Sequence, residues 1–200
     1  MTKTLTWVVV LVKDFDSAKQ RLGPALDPSS RRALARRNAQ RAVRAASAGD
    51  QRLVVAGSQE VATMAERLGA HVILEPRQEG QNVAAKRGIA QAVQRGATAV
   101  LLLSSDLPHV TAKSVRELLA AAALVQTPAA VAVPAVGRGG TNALYLCPPN
   151  AITLHFGADS LESFHREAET KGVNFVIHHS EAMALDLDEP DDLARVRRAV

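Results

Sequence analysis

The segment LDLDEPDDL, residues 185–193, concentrates acidic side chains near the end of the 200-residue chain. We predict that the apolar stretch Ala182–Leu187 is a buried strand, so that Asp186 and Asp188 would point to the same face of a sheet. Two neighbouring carboxylates repel each other, and burying them without partners is costly. The pair is stable where it opens to water or where a divalent cation lies between the oxygens. The spacing therefore indicates a candidate cation site.

A further carboxylate follows another apolar run, in the segment LLLSSDLP. Asp106 can either cap a helix or bind a metal there, and the cap is the weaker interpretation because the next helix is predicted to begin at Thr111. If Asp106 meets Asp186 and Asp188 in space, three carboxylates converge at one end of the sheet. Such a set suits Mg²⁺, which binds few carboxylates and completes its shell with water and phosphate oxygens.

Three cations, Lys13, Lys19 and Arg21, follow the first predicted strand in the segment VKDFDSAKQRL. Positive charges at this density suit the phosphates of a nucleotide, and Arg grips phosphate with a fork of donors. An exposed basic loop without a ligand is an equally good interpretation of this segment alone. The glycines of the GxxxxGKS/T phosphate loop are absent, so the segment is not a loop of that type.

The segment GRGGTNALYL, Gly137–Leu146, has three glycines before an apolar strand. Glycine lets backbone amides approach an anion closely, and Thr141 and Asn142 add side-chain donors at the start of the strand. A flexible hairpin loop is the alternative interpretation. The histidines show no metal-binding spacing, since the neighbours His178 and His179 would face opposite ways on a strand.

These segments need a scaffold, and the apolar runs predict one. Strands are predicted at Leu5–Val12, Leu53–Ala56, His71–Leu74, Ala99–Leu103, Ala130–Pro134, Asn142–Leu146 and Phe175–His178, with a last one ending at Leu187. Helices are predicted from Pro28 to about Ala48 and over Gln59–Leu68, Asn82–Arg95 and Thr111–Leu124. Asp27 before Pro28 is the predicted N-cap of the first helix. A closing helix is predicted after Pro190, and its dipole favours the acidic residues Asp191 and Asp192 in the first turn. The alternation predicts an α/β fold with a mostly parallel central sheet and helices on both faces. Ligands bind such sheets at the carboxyl ends of the strands.

Composition limits the class of protein. Apolar residues make up 47% of the chain, enough for the core of a single domain over residues 1–200. The net charge of +4 comes largely from Arg-rich helices that fit a solvated face, and aromatic residues, at 3%, are too few for stacking on single-stranded nucleic acid. The single cysteine, Cys147, excludes an internal disulfide and a cysteine zinc site. The run WVVVLV is too short to span a bilayer, so we expect a cytoplasmic protein without a nucleic-acid or membrane partner.

The candidate segments resemble, in the same order along the chain, the motifs of a known family. VKDFDSAKQRL, LLLSSDLPHVT, GRGGTNALYLCPP, FGADS and LDLDEPDDL are similar to motifs of the guanylyltransferases of coenzyme F-420 (deazaflavin) biosynthesis, which act on 2-phospho-L-lactate or phosphoenolpyruvate. The similarity extends over residues 9–193, nearly the whole chain. GGTNAL followed by FGxxS and LDxDxP is its specific part, whereas the DLP and basic elements are shared with other nucleotidyltransferases.

The resemblance implies a Rossmann-like nucleotidyltransferase fold of the nucleotide-diphospho-sugar transferase type, and it implies roles for particular residues. The carboxylates that would bind Mg²⁺ are Asp106, Asp186 and Asp188. The residues that would bind GTP are Lys13, Lys19 and Arg21 on the phosphates, with Gly80 and Asn82 of EPRQEGQNVAAKRG on the base side. The residues that would hold the acceptor phosphate are Thr141, Gly157 and Ser160. Those implied in catalysis are Asp106, Lys19 and Arg21.

The activity implied is transfer of GMP from GTP to a small phosphorylated three-carbon acid with release of pyrophosphate. The Ala/Arg-rich composition is typical of bacteria and favours phosphoenolpyruvate over 2-phospho-L-lactate as the acceptor. One alternative is a nucleotidyltransferase of the same fold that acts on molybdopterin or a sugar phosphate, although such enzymes usually carry a glycine-rich loop after the first strand. A metal-dependent glycosyltransferase would need a DxD motif where SSDLP supplies one Asp. A non-catalytic nucleotide-binding protein would have no reason to keep three repelling carboxylates. A homodimer is compatible with all of these.

Overall fold

The apolar runs predicted as buried strands form the centre of one sheet in this computed structural model, which describes residues 4–137 and 139–198. The predicted single domain, 1–200, and the GRGGTNALYL segment therefore include positions outside the described residues, namely 1–3, 138, 199 and 200. The strands are β1 Thr6–Val12, β2 Gln51–Ala56, β3 His71–Leu74, β4 Ala99–Ser104, β5 Ala129–Pro134, β6 Thr141–Cys147 and β7 Asn174–Ile177. Their order in the sheet is β3-β2-β1-β4-β6-β5-β7.

The predicted helices are confirmed, with small shifts at their ends, and two further helices lie outside the predicted set, at Ser160–Lys171 and Glu181–Ala184. The helices are α1 Pro28–Ala45, α2 Gln59–Arg67, α3 Gln81–Gln94, α4 Ala112–Ala122, α5 Ser160–Lys171, α6 Glu181–Ala184 and α7 Pro190–Arg198. Asp27 caps α1 by accepting the Ser30 N–H at 3.0 Å, and Thr111 caps α4 through Ser114. Hydrogen bonds from Ser29 and Ser30 hold the pKa of the Asp27 carboxyl well below its usual range. Within the described residues, no helix is long and apolar enough to cross a membrane.

Alternation along β1 assigns the helices to the two faces of the sheet. Val8 and Val10 belong to a buried cluster with α1, α2 and α4, whereas Trp7 and Val9 belong to a second cluster with α3 and α5. Each face of this strand is covered, which explains why β1 has a continuous apolar sequence instead of a polar–apolar alternation. The prediction of a mostly parallel sheet with helices on both faces is confirmed.

The direction of β6 decides where the functional segments meet. In the described chain β6 runs antiparallel to both its neighbours, β4 and β5, while the other pairs are parallel. Because Leu103 of β4 pairs with Ala143 of β6, the start of β6 at Thr141 lies beside the end of β4. The carboxyl ends of β1 and β4 and the amino end of β6 therefore share one edge. At this edge, between β1 and β4, lies the topological switch point of the sheet: β2 and β3 follow β1 on one side, and the later strands follow β4 on the other.

The strand predicted at Ala182–Leu187 is wrong. The segment begins in the short helix α6, and residues 185–188 belong to no helix or strand, with Leu185 in an extended conformation. One reason is the sequence, since Glu, Ala and Met favour helix, and the Met183 side chain is fully buried. The other is topology: β4 already has a strand on each side, so the Leu187 N–H makes only a single bond of 3.0 Å to the Asp106 carbonyl beyond the end of β4.

We expect Gly88→Ala to destabilise the protein, because α3 touches the sheet at this glycine. A Cβ there would lie 2.5 Å from Val9 Cγ1 and 3.0 Å from Val55 Cγ2, both in the core. Overpacking of this kind costs about 1–3 kcal/mol, which exceeds the roughly 0.5–1 kcal/mol that alanine gains over glycine in a helix. Urea unfolding should show a lower midpoint. Gln94→Ala, on an exposed site of the same helix, is the control, and equal midpoints for Gly88→Ala and the control would contradict the prediction.

Candidate active site

A cavity of about 830 Å³ opens at the edge where β1, β4 and β6 meet. It is lined by the predicted site residues Lys13, Lys19, Arg21, Gly80, Asp106, Thr141, Gly157, Ser160, Asp186 and Asp188. Of the predicted set, Asn82 lies outside the lining. The volume is at the upper end of the range for small-molecule sites and is large enough for two substrates together. The structure thus brings residues from six separate segments of the chain into one cavity.

Lys19 is the most buried of the predicted cations, and the basic loop is folded to place it. Phe15 and Leu22 are buried on either side of it, and Lys19 itself adopts a left-handed backbone with φ of 60°, unusual for a residue with a side chain. Its ammonium nitrogen lies 2.7 Å from Asp106 Oδ1 and also donates to the Leu187 carbonyl. Lys19 therefore connects the loop after β1 to the end of β4 and to the segment before α7.

The other two cations face the cavity more openly. Arg21 Nη1 lies 3.1 Å from Asp188 Oδ2 and 3.8 Å from Glu189 Oε1, with 69% of its side chain exposed. Ion pairs this exposed are screened by water and contribute little to stability, so the guanidinium can exchange partners at little cost. Lys13 is exposed and lines the same cavity. Lys13 and Arg21 are thus better placed than Lys19 to meet an incoming anion.

The three aspartates line the cavity without forming one cluster. Within residues 4–137 and 139–198, no three His, Cys, Asp or Glu side chains lie close enough together to hold an ion. Asp106 and Asp188 pair instead with Lys19 and Arg21. The carboxylate oxygens are nevertheless hard donors on a water-accessible surface, and Mg²⁺ commonly uses only one or two carboxylates together with phosphate oxygens. The donor set therefore fits a magnesium ion that arrives with a nucleotide, and joint coordination by all three aspartates stays a prediction.

Asp192 is a functional residue that the sequence analysis missed. Only 2% of it is exposed, and its Oδ2 accepts the backbone N–H groups of Asp188 at 3.0 Å and Glu189 at 2.8 Å. An acidic side chain at the third helical position that reaches back to the residue before the helix is half of a capping box. The sequence contained a signal for this contact, because proline favours the first position of a helix and Asp192, two residues after Pro190, then occupies the third. This contact fixes the turn that carries Asp188.

The residues predicted to hold the acceptor phosphate meet at the start of α5. Ser160 Oγ donates to Thr141 Oγ1 at 3.1 Å, and both residues are buried at the floor of the cavity. Gly157 has φ of 144°, and a Cβ there would meet no atom within 4 Å. The helix begins at Ser160, so the first turn of α5 lies beside this part of the cavity, with the Leu161 N–H donating to the Gly139 carbonyl at 3.1 Å. Hydroxyls and amides at a helix N-terminus form a good anion site.

Two amides considered as ligand donors bind the protein's own backbone. Asn142 Nδ2 donates to the Met183 carbonyl at 2.8 Å and the Ala184 carbonyl at 3.1 Å, which holds α6 against β6. Asn82 Nδ2 donates to the Phe156 carbonyl at 3.0 Å, and its Oδ1 accepts the Phe156 N–H at 2.8 Å. The structure thus places Asn82 against the loop before α5, and its predicted contact with GTP stays untested.

A second carboxylate that the sequence analysis missed lies at the cavity. Glu75 follows β3, lines the cavity, and has a side chain only 7% exposed. Arg87 of α3 lies 2.9 Å from Glu75 Oε1 and also pairs with Glu79. The hydrogen bond to Glu79, with a smaller contribution from Glu75, raises the pKa of Arg87. No motif links two residues twelve positions apart, so this pair could be found only from the fold.

The strand order, the cavity at the switch point and the pairing of a basic loop with aspartates define a Rossmann-like nucleotidyltransferase. The same fold occurs in a crystal structure from Desulfovibrio desulfuricans G20 assigned to the nucleotide-diphospho-sugar transferases, with a TM-score of 0.79 and 18% identity over 98% of this chain and 88% of that one. Residues 6–197 match the family described as "Guanylyl transferase CofC like". The chain belongs to this family.

Curated relatives with different named acceptors cover almost all of the chain. A phosphoenolpyruvate guanylyltransferase of Rubrobacter xylanophilus is 38% identical over 95% of this chain and 92% of its own length. A 3-phospho-D-glycerate guanylyltransferase of Phenylobacterium zucineum is 33% identical over 95% and 88%. A 2-phospho-L-lactate guanylyltransferase of Methanothermobacter thermautotrophicus is 30% identical over 96% and 83%. These relatives agree on the transferred group and differ in the acid.

We expect Asp192→Ala and its neighbour Asp191→Ala to differ in effect. Loss of the buried Asp192 carboxylate leaves two backbone N–H groups without their acceptor and should cost about 1–3 kcal/mol of unfolding free energy. Asp191 is exposed in the same helical turn, and its removal should cost only the dipole contribution, on the order of 0.5 kcal/mol. Because Asp188 loses its support, Asp192→Ala should also lower kcat. Chemical denaturation measures the unfolding free energy, and a turnover assay measures kcat. If the two variants have the same unfolding free energy and the same kcat, the turn does not depend on Asp192.

Proposed function

We propose that this protein transfers GMP from GTP to a small phosphorylated three-carbon acid in coenzyme F-420 biosynthesis, with phosphoenolpyruvate as the favoured acceptor. The observation that supports this most is a cavity lining made of two parts. The first is Lys13 and Arg21 of the loop after β1, and the second is Thr141 of β6 with Gly157 and Ser160 at the start of α5. One part suits a triphosphate and the other a single phosphate, which are the two anions that such a reaction must bring together.

In the proposed reaction an oxygen of the acceptor phosphate attacks the α-phosphorus of GTP. A new P–O bond forms as the bond to the bridging oxygen of the β-phosphate breaks, and pyrophosphate leaves with that electron pair. Lys13 and Arg21 stabilise the charge on the departing phosphates, while the hydroxyls of Thr141 and Ser160 orient the attacking group. Mg²⁺, held by Asp106 with Asp186 or Asp188, would neutralise phosphate charge when bound. Lys19 pairs with Asp106 at 2.7 Å and keeps that carboxylate in place.

The acceptor is proposed to be small because the aromatic residues near its phosphate site already pack within the protein. Phe156 lines the cavity, and its ring packs against Phe164 in a T-shaped arrangement with the centroids 5.1 Å apart. Tyr145 is buried, and burial together with Cys147 raises the pKa of its phenol to about 12. A neutral, buried phenol supplies neither a stacking surface nor a base. A pterin would have to compete with Phe164 for the Phe156 ring, which favours a three-carbon acid over molybdopterin.

The acceptor assay tests the proposal directly. GTP and Mg²⁺ are supplied with phosphoenolpyruvate, 2-phospho-L-lactate or 3-phospho-D-glycerate, one at a time, and pyrophosphate release is followed. We expect phosphoenolpyruvate to react fastest. The other acids should be slower by about 10- to 200-fold, since small differences in ligand shape are discriminated by about 1–3 kcal/mol. Reaction with a sugar phosphate or molybdopterin, and with none of the acids, would refute the proposed acceptor class.

Asp106→Asn tests the carboxylate that the cavity shares with Lys19. We expect turnover to fall by at least about 100-fold, because the variant loses a charge at the reacting phosphates. The protein should stay folded but lose about 3–5 kcal/mol of unfolding free energy, because the buried Lys19 ammonium keeps a hydrogen bond to the amide oxygen and loses its partner charge. Asp16→Asn is the control. Asp16 lies in the same loop as Lys19, its side chain is 71% exposed, and it does not line the cavity. Wild-type turnover in Asp106→Asn would exclude this role.

A further inference from the structure

Asn82 makes a two-point contact that joins the two halves of the cavity. Its amide donates to the Phe156 carbonyl at 3.0 Å and accepts the Phe156 N–H at 2.8 Å, the same pair of bonds that one strand residue offers to another. Asn82 itself lies in the first turn of α3, directly after Gly80 and Gln81, which line the base side of the cavity. Phe156 immediately precedes Gly157 on the acceptor side. Asn82 and Phe156 are 74 residues apart in the sequence, so the contact joins two distant segments of the chain.

The loop from Phe156 to Ser160, which we call the acceptor loop, has further contacts with α5, with β6 and with the segment before β6. The Phe156 ring packs on the fully buried Phe164 of α5, and Ser160 bonds to Thr141 of β6. The Leu161 N–H donates to the Gly139 carbonyl at 3.1 Å. None of these contacts involves α3. The amide of Asn82 is thus what holds the main chain of the acceptor loop to the nucleotide side.

We propose that Asn82 is a positioning residue: it fixes the main chain at Phe156 and Gly157 for the acceptor phosphate and couples acceptor binding to nucleotide binding at the start of α3. This rests on the proposed function, and it replaces the direct GTP contact that the sequence resemblance implies for Asn82. The main chain next to Gly157 matters because glycine at φ of 144° exposes its backbone to the cavity, with no side chain in between. A shift of α3 caused by the base is transmitted to this backbone through two hydrogen bonds.

The kinetic test compares Asn82→Ala and Asn82→Asp with the wild-type protein. Asn82→Ala removes both bonds, whereas Asn82→Asp keeps the acceptor for the Phe156 N–H and sets a second oxygen against the Phe156 carbonyl. We expect the KM for phosphoenolpyruvate to rise about tenfold or more in each, because two hydrogen bonds that order the loop are lost or opposed. The KM for GTP should change less than about threefold. Gln94→Ala, an exposed amide at the other end of α3, should leave both constants unchanged.

Binding of a fluorescent GTP analogue with and without phosphoenolpyruvate measures the coupling. In the wild-type protein the acid should tighten binding of the analogue, and this effect should disappear in Asn82→Ala, since coupling between two ligands is reciprocal. A higher KM for GTP with an unchanged KM for the acid would overturn the proposal in favour of direct nucleotide binding. A loss of stability with both KM values unchanged would also overturn it, because a purely structural amide has that effect.

Hydrogen exchange of the protein without substrates separates this proposal from the proposed function. The Phe156 amide should exchange at least about tenfold faster in Asn82→Ala than in the wild-type protein or in Gln94→Ala, because its acceptor is gone. Equal exchange rates would show that Asn82 does not hold the loop. If the wild-type protein releases no pyrophosphate with any acid while the Phe156 amide still loses protection, the loop contact stands and the proposed function fails.

Discussion

The ion pair between Lys19 and Asp106 is the contact on which the rest of the site depends. The Lys19 side chain is 1% exposed, and an ammonium taken out of water this completely is tolerated only with a close partner of opposite charge and further hydrogen bonds. Asp106 Oδ1 at 2.7 Å and the Leu187 carbonyl supply them. The three segments must therefore approach one another for Lys19 to be buried. The same requirement fixes the boundary of the cavity between β1, β4 and α7.

The parts of this arrangement that could be predicted from the sequence are those with a local signal. Continuous apolar runs predict strands covered on both faces, and Asp27 before Pro28 predicts a helix start, because the responsible interactions lie within a few residues. That Asp106 and Thr141 lie at one edge of the sheet does not follow from such signals. It requires β6 to pair with β4 in the antiparallel direction, and nothing in the sequence of β6 itself distinguishes antiparallel from parallel pairing.

What the sequence could not predict is mostly a short polar side chain that binds backbone elsewhere in the chain. Asn142 binds the carbonyls of Met183 and Ala184, and Asn82 binds the backbone of Phe156. Contacts of this kind have no period and no motif, since either partner alone fits an exposed loop. The error at Ala182–Leu187 has the same origin. The apolar alternation of this segment fits a strand, but β4 already lies between β1 and β6 and has no free edge for another strand. The strand order of the whole sheet is needed to know this.

Charge balance gives a physical reason for the proposed metal. The cavity sets the cations Lys13, Lys19 and Arg21 against the three aspartates that line it, so its predicted site residues carry no net positive charge. Two of these cations are already paired, Lys19 with Asp106 and Arg21 with Asp188. GTP and a phosphorylated acid bring several negative charges into the same volume, and close approach of their phosphates is opposed by Coulomb repulsion that grows as water is excluded. The side chains alone do not offset it. A divalent cation that enters with the triphosphate would compensate this charge and release Arg21 from Asp188 to bind the departing pyrophosphate.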